Sequence, residues 1–280
     1  MQKKLVSILP LLLWVSVCLG NQPPTRIISL APSLTQEIFL LGSGHRLVGD
    51  TRYCVVPEAA KHVEKVATAM EVNVEKVVRL RPDLVVATSL TSPETITTLK
   101  KMGLKVEVFP QPLNYAQICE QFMRLASRLG KTKCADSIVA ASKERLDALR
   151  SKHTPTFHPA VFMEIGTKPL FTAIGGTFLD DFITQLGGSN IAHDATSGLY
   201  SREEVLRQNP DVIIIVTMGI AGREEKKRWE QFPKLKAVQN HQVFIVDSYQ
   251  LCSPTPVSFI DGLEKVDNLI HQHQKNKQHD

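Results

Sequence analysis

The chain has 280 residues, of which 43% are apolar, 22% charged and 6% aromatic. That is ordinary globular composition, and it excludes a disordered chain, a collagen-like chain and a small disulfide scaffold. The formal net charge of +5 is weak and evenly spread, which argues against a nucleic-acid partner.

Residues 1–20 begin with a basic start at Lys3 and Lys4, followed by an apolar run from Leu5 to Leu19 that Pro10 interrupts. The run is too short to span a bilayer comfortably, and Asn21–Pro24 then turns abruptly polar. This is the layout of a cleaved secretory signal, with Cys18 and Gly20 as the small residues ahead of a cut before Asn21. An uncleaved anchor is one alternative, and a lipid on Cys18 another. The expected location is periplasmic, or otherwise outside the cytoplasm. Export leaves Cys54, Cys119, Cys134 and Cys252, which allow three complete pairings in an oxidising compartment. Without a choice among these, they read as buried or paired thiols.

Strand-like runs recur at Arg26–Leu30, Asp83–Ala87, Lys105–Phe109, Ala160–Ile165, Asp211–Val216 and Gln242–Val246. Their nearly continuous apolar character is that of strands buried on both faces of a parallel sheet. Helical patterns lie between them, at Ser33–Leu41, Val74–Leu80, Pro93–Met102, Tyr115–Leu129 and Phe178–Leu186. The alternation predicts an α/β fold.

An internal repeat divides the chain. Asn73–Val86 aligns without gaps to Ser201–Ile214, matching Glu75 with Glu203, Arg79 with Arg207 and Pro82–Asp83 with Pro210–Asp211. A weaker echo links Glu37–Gly42 to Asp181–Gly187. Two repeats in the same order predict two similar lobes. Lys131–His153 holds no Gly or Pro and places Ala135, Ile138, Val139, Leu146 and Leu149 on one side at helical spacing, so it predicts a linking helix roughly 30 Å long. The expected organisation is a signal at 1–20, an N-terminal lobe at 25–130, the linking helix at 131–153, a C-terminal lobe at 159–270 and a polar tail at 271–280. One continuous helix between the lobes predicts small closure on binding.

Catalytic and phosphate-binding motifs are missing: there is no GxSxG, no HExxH and no glycine-rich loop ending in Gly-Lys-Ser or Gly-Lys-Thr. Gly175–Gly176–Thr177 reads as a tight turn and Gly187–Gly188 as a helix C-cap. His45, His62, His193 and His241 are scattered without ligand spacing, and only the tail histidines His271, His273 and His279 cluster, where they would hold metal loosely. Ligands of open α/β sheets bind beyond the carboxyl ends of strands. Here those ends carry Ala31–Pro32–Ser33, Thr51–Arg52–Tyr53–Cys54 and Thr88–Ser89–Leu90 in the first lobe. In the second they carry Gly166–Thr167, Thr217–Met218 and Asp247–Tyr249. Small hydroxyl, aromatic and a few charged groups suit a large, partly polar ligand held between lobes.

RIISLAPSLTQEIFLLG, VGDTRYCVVPEAA, VNVEKVVRLRPDLVVA and the central helix together resemble the periplasmic substrate-binding proteins for cobalamin, siderophore-bound iron and haem, which serve ABC importers. The resemblance runs from about Thr25 to Leu269. It implies two Rossmann-like lobes with mostly parallel sheets joined by one long backbone helix, a monomer without catalysis or resident cofactor, and an iron chelate or corrinoid in the cleft. A haem or bare-metal receptor is the alternative within the class, and a secreted α/β enzyme the alternative outside it. The implied ligand set is Ser33, Thr51, Tyr53, Cys54, Thr167, Asp247 and Tyr249, with Tyr53 and Tyr249 facing each other. The exposed acids that meet a permease dimer in cobalamin-binding members correspond to Glu75 and Glu203. Where those members place cleft Trp residues, this chain has Ala69 and Ser197. A basic cleft residue of relatives is replaced by Leu251. Val56, where an aromatic is expected, weakens haem ligation by tyrosinate. Trp229, within KKRWEQF, reads as lobe surface.

Overall fold

The computed structural model describes residues 22–68, 71–152, 158–216 and 222–277. The signal segment, Ala69, Thr217, Met218 and His279 lie outside the described residues. Alternation of strand and helix is regular in the first half: β1 (Ile27–Ser29), α1 (Pro32–Leu40), β2 (Leu47–Thr51), β3 (Lys65–Ala67), α2 (Val74–Arg79), β4 (Leu84–Thr88), α3 (Pro93–Lys101), β5 (Val106–Phe109) and α4 (Tyr115–Leu129). The linking helix α5 (Thr132–Arg150) follows. The second half holds β6 (Ala160–Thr167), β7 (Leu170–Thr172), α6 (Phe178–Gln185), β8 (Ser189–Asn190), α7 (Arg202–Gln208), β9 (Val212–Val216), α8 (Gly222–Glu230), α9 (Lys236–Gln239), β10 (Val243–Val246), α10 (Ser248–Leu251) and α11 (Pro256–Lys277).

The first sheet is wholly parallel in the order β3-β2-β1-β4-β5. In the second, β10, β9 and β6 are parallel, and β7 (antiparallel) and β8 (parallel) share the other edge of β6. One apolar core runs through both lobes: Ile27, Val86 and Phe109 of the first sheet join Met163 and Ile214 of the second through Phe122 of α4, Leu146 of α5 and Leu263 of α11. Helix α5 buries Ala135, Val139, Leu146 and Leu149, the side its spacing predicted. Arg145 of α5 clamps α11 through Asp261 (2.6 Å) and Glu264 (2.8 Å).

The repeat is a structural equivalence. Asp83 hydrogen-bonds the strand start beside it through its backbone N–H to Arg26 O (2.9 Å) and accepts from the Arg26 N–H on Oδ1 (3.1 Å). Asp211 does the same to Ala160, at 2.8 Å and 2.9 Å. Ahead of each proline the chain passes through the left-handed region, at Arg81 (φ 47°) and Asn209 (φ 49°). The second echo aligns on the helix ends: Gly42 (φ 65°) after α1 and Gly187 (φ 74°) after α6, each a left-handed stop that glycine adopts without strain.

Several expectations are corrected. β2 and β3 were not predicted, because Gly49 and Asp50 spoil the apolar pattern. A Cβ on Gly49 would come within 2.9 Å of Val66 Cγ1, so strand packing demands the glycine. Asp50 is instead held by Lys65 Nζ at 2.7 Å. The tail is not a separate segment, since α11 continues through His271 to Lys277. Trp229 is fully buried rather than on the surface. All four thiols are free, and Cys134 is exposed rather than buried or paired. Among the described residues no helix is long and apolar enough to cross a membrane.

Glu37 is fully buried in α1, with Gln121 the polar side chain beside its carboxyl. Burial pushes its carboxyl well above its ordinary value of 4.5. A carboxyl raised in the folded state favours folding below its unfolded pKa and loses that contribution as pH rises. Glu37→Gln should therefore gain stability over the natural chain as pH climbs above 4.5, by up to about 1.4 kcal/mol per pH unit. Thermal unfolding of both proteins across that range measures it, and parallel curves would contradict it.

Candidate functional site

The carboxyl edges of the two sheets converge. Helix α4 opens at the carboxyl edge of the first sheet, after β5, and its first residue, Tyr115, donates its backbone N–H to Asp181 Oδ2 of α6 at 2.7 Å. Helix α11 begins beyond β10, at the carboxyl edge of the second sheet. Phe259 in its first turn stacks 5.2 Å from the Tyr115 ring and meets Phe182 edge-on at 5.4 Å. The order of the first sheet also puts its topological switch between β1 and β4, the place where open α/β sheets hold ligands.

The loop after β2 is built to present Tyr53. Thr51 and Cys54 are buried, and the Cys54 thiol lies 3.3 Å from Thr51 Oγ1 and 3.1 Å from Thr35 Oγ1. The Tyr53 N–H donates to Thr51 Oγ1 at 3.2 Å, closing the turn. Lys65 Nζ ties both arms of the connection by donating to Cys54 O (3.1 Å) and Ala60 O (2.8 Å). Tyr53 is left 44% exposed at the tip. Thr51 and Cys54 thus have their polar groups engaged inside the lobe, where they shape the loop. Burial pushes the Cys54 thiol up, away from the reactive thiolate.

Ser33 is half-buried in the first turn of α1, beside the loop after β1. Thr167 ends β6, half-buried, opposite Leu170. Asp247 is exposed and caps α10 by accepting the Tyr249 N–H at 2.8 Å, which leaves the half-buried Tyr249 in the next turn.

Apart from Tyr53, the exposed apolar residues on these edges were not predicted as site residues. Eight large apolar residues are exposed among the described residues, and six of them stand at the carboxyl edges: Tyr53, Val56, Leu90 and Leu113 on the first lobe, Phe171 and Leu199 on the second. Phe171 and Leu199 pair across a β-bridge, and a Cβ on Gly198 would lie 2.8 Å from the Phe171 ring. Single exposed apolar residues need no explanation, but a group concentrated on two converging edges marks a binding surface. A groove of about 700 Å³ lies between α4, α5 and α6 beside the Tyr115–Asp181 contact, and one of about 820 Å³ lies beneath residues 22–25.

Glu75 and Glu203 are both exposed and are the second residues of α2 and α7. Asn73 and Ser201 cap the two helices by accepting the N–H of Lys76 (2.8 Å) and Glu204 (3.1 Å). Asn73 N–H bonds Val66 O near the carboxyl end of β3, while α7 follows the Leu199 bridge beside the end of β6. Both carboxylates therefore stand on the rim of the converging edges.

The sequence pattern of the periplasmic binding proteins matches residues 27–250. The chain belongs to the periplasmic binding protein family. An uncharacterised ABC transporter substrate-binding lipoprotein of Bacillus subtilis is 30% identical over 90% of this chain and 81% of its own. A vitamin B12-binding protein of Yersinia pestis is 30% identical over 70% of this chain and 71% of its own. The crystal structure of the periplasmic vitamin B12-binding protein of Vibrio cholerae matches with a TM-score of 0.78 at 28% identity, covering 90% of this chain and 99% of that one. The two-lobe α/β architecture is the family's. Among the described residues no group of three or more His, Cys, Asp or Glu is placed to hold a metal ion.

Proposed function

We propose that the chain is the extracytoplasmic receptor of an ABC importer and carries a corrinoid between its lobes. The exposed apolar residues on both converging edges carry this reading. A bulky, amide-fringed macrocycle covers apolar side chains on two faces and needs few polar partners, which Ser33, Thr167, Asp247 and the hydroxyls of Tyr53 and Tyr249 supply. Leu251 supports it, because this residue is buried against Gly262 and brings no cation to the site. The B12-binding relatives agree with it. Residues 1–20 direct export, and a permease dimer receives the loaded protein. The lobes, joined by α5 and the α4–α11 contact, close only slightly.

A second reading has its own observation. Arg52 and Lys168 are exposed, one on each edge, and suit an anionic ferric siderophore. Calorimetric titration with cyanocobalamin, a ferric hydroxamate and haemin separates the readings. The expected result is saturable one-to-one binding of cyanocobalamin, weakened by roughly 1–3 kcal/mol in Tyr53→Ala, whose ring the ligand buries. Binding of the ferric chelate alone would overturn the corrinoid reading in favour of the second, and unchanged affinity in the variant would remove Tyr53 from the site.

A further inference from the structure

Each rim carboxylate has a cationic neighbour in sequence that reaches the opposite way. In the first lobe this is Lys76, next to Glu75. Its Nζ donates to Lys65 O at 2.7 Å and pairs with Glu64. Lys65 is the residue whose own ammonium ties the Tyr53 loop to the buried Asp50. In the second lobe it is Arg202, next to Glu203. Its guanidinium lies 4.3 Å from the centre of the Trp229 ring and pairs with Glu225, a buried acid that also accepts from Arg228 at 2.6 Å. Trp229 in turn donates its indole N–H to Glu164 Oε2 of β6 at 2.6 Å. Glu164 is fully buried, in the strand that ends at Thr167.

The helices that carry these pairs are short. α2 has six residues and fully buries only Val77, with Val74 half-buried against the same core, and α7 has seven and fully buries only Val205, with Leu206 half-buried beside it. Helices of this length are not stable by themselves, so packing sets their orientation. These neighbouring apolar contacts hold one side of each helix to its core but leave the helix free to rock about its axis. A second anchor on another side of the axis removes that freedom, and in each lobe the second anchor is the cation. Lys76 and Arg202 are not equivalent in the repeat, for Lys76 aligns with Glu204 and Arg202 with Val74. The two lobes reach the same arrangement through different residues.

We propose that Lys76 and Arg202 are positioning residues for docking: each locks the rotation of its short helix about the buried valine, so that Glu75 and Glu203 point outward at the permease. The proposal rests on the reading of those two acids as the contacts with a basic permease surface. It also explains why a tryptophan in a basic segment is wholly buried, since Trp229 is the platform on which Arg202 lies.

The test compares four double variants of the ligand-loaded protein for binding to the permease in detergent, with cyanocobalamin affinity and far-ultraviolet dichroism measured on each. Lys76→Met with Arg202→Met keeps apolar stems but removes both anchors. It should weaken permease binding about tenfold with ligand affinity and helix content unchanged. Lys76→Arg with Arg202→Lys should retain most of the binding, which a general packing defect would not allow. Glu75→Gln with Glu203→Gln tests the docking reading itself, and Asp136→Asn with Glu144→Gln, on exposed acids of the linking helix α5, sets the baseline. If the glutamine pair at the rim weakens docking while the methionine pair does not, the positioning proposal is wrong and the docking reading stands. If neither weakens docking, the docking reading fails first. Parallel loss of ligand affinity in the methionine pair would show a loosened lobe and would also overturn the proposal.

Discussion

The double variant Glu75→Arg/Glu203→Arg is expected to lose uptake almost completely while keeping its affinity for ligand. The two acids stand at matched places on pseudo-symmetric lobes, both exposed, both on the rim of the cleft. On the proposed reading a permease dimer would offer two copies of one basic surface, which the two lobes would meet with two copies of one acidic point. An exposed ion pair alone contributes only ~0–1 kcal/mol. Charge reversal does more than remove it, because like charges brought together across an interface cost several kcal/mol and encounter slows. Two such reversals should cut uptake by more than about a hundredfold, each single reversal by less. The loss should shrink as salt rises, since exposed charges are screened beyond about 10 Å at moderate ionic strength. Uptake in whole cells, beside ligand titration of the pure variants, measures both sides. Normal transport by the double variant would reduce the two carboxylates to helix-surface charges that favour their own N-termini.

Phe259→Ala is expected to give the largest loss of stability, about 3–5 kcal/mol. The ring is almost fully buried and touches Tyr115, which opens α4 on the first lobe, and Phe182 of α6 on the second. It sits in the core that runs through both lobes, so the cavity left behind cannot be filled by one lobe relaxing alone. Phe259→Leu, which keeps most of the volume, should cost about 1.5 kcal/mol or less. Urea unfolding of the three proteins gives the comparison. A loss under about 1 kcal/mol in the alanine variant would mean that the junction repacks and does not depend on this ring.

The lobes were readable from sequence because their strands are buried on both faces and therefore nearly continuous in apolar residues. Val212–Val216 is the clearest case, with every residue buried. The repeat was readable because Asp83 and Asp211 do the same work at the start of a strand pair, which keeps Pro-Asp in both copies. The strands that escaped are those whose contacts replace hydrophobicity. β2 carries Gly49 for close packing and Asp50 for Lys65, and neither residue suggests a strand. Helix α11 has buried Phe259, Ile260, Leu263, Val266 and Ile270 at helical spacing, yet Gly262 and the polar end hid it. A Cβ at Gly262 would lie 3.0 Å from Leu251 Cδ2, so any larger residue there would need the leucine to shift. Trp229 misled for a related reason: its charged neighbour Glu225 pairs with both Arg228 and Arg202, so a basic segment packs inward.

The site was partly legible. The repeat singles out Glu75 and Glu203, and Tyr53 stands in the Thr51–Cys54 stretch that reads as a strand end even though β2 itself lacks an apolar run. Thr51 and Cys54 lie in the predicted loop, but their polar groups face each other, a distinction no spacing reveals. Leu90, Leu113, Phe171 and Leu199 carried no signal of their own, because one exposed leucine on a loop resembles any other. Their meaning comes from two edges brought together by the Tyr115–Phe259 contact, which only the fold displays.

The central claim, that the chain carries a corrinoid between its lobes, is tested most directly by native mass spectrometry of the protein purified from its own host without denaturation. The account predicts one bound molecule per chain, with the mass of a corrinoid and the isotope pattern of a cobalt complex, released on denaturation and rebound on refolding. A bound iron complex in its place, or a chain that stays unoccupied when corrinoid is supplied in excess, would contradict it.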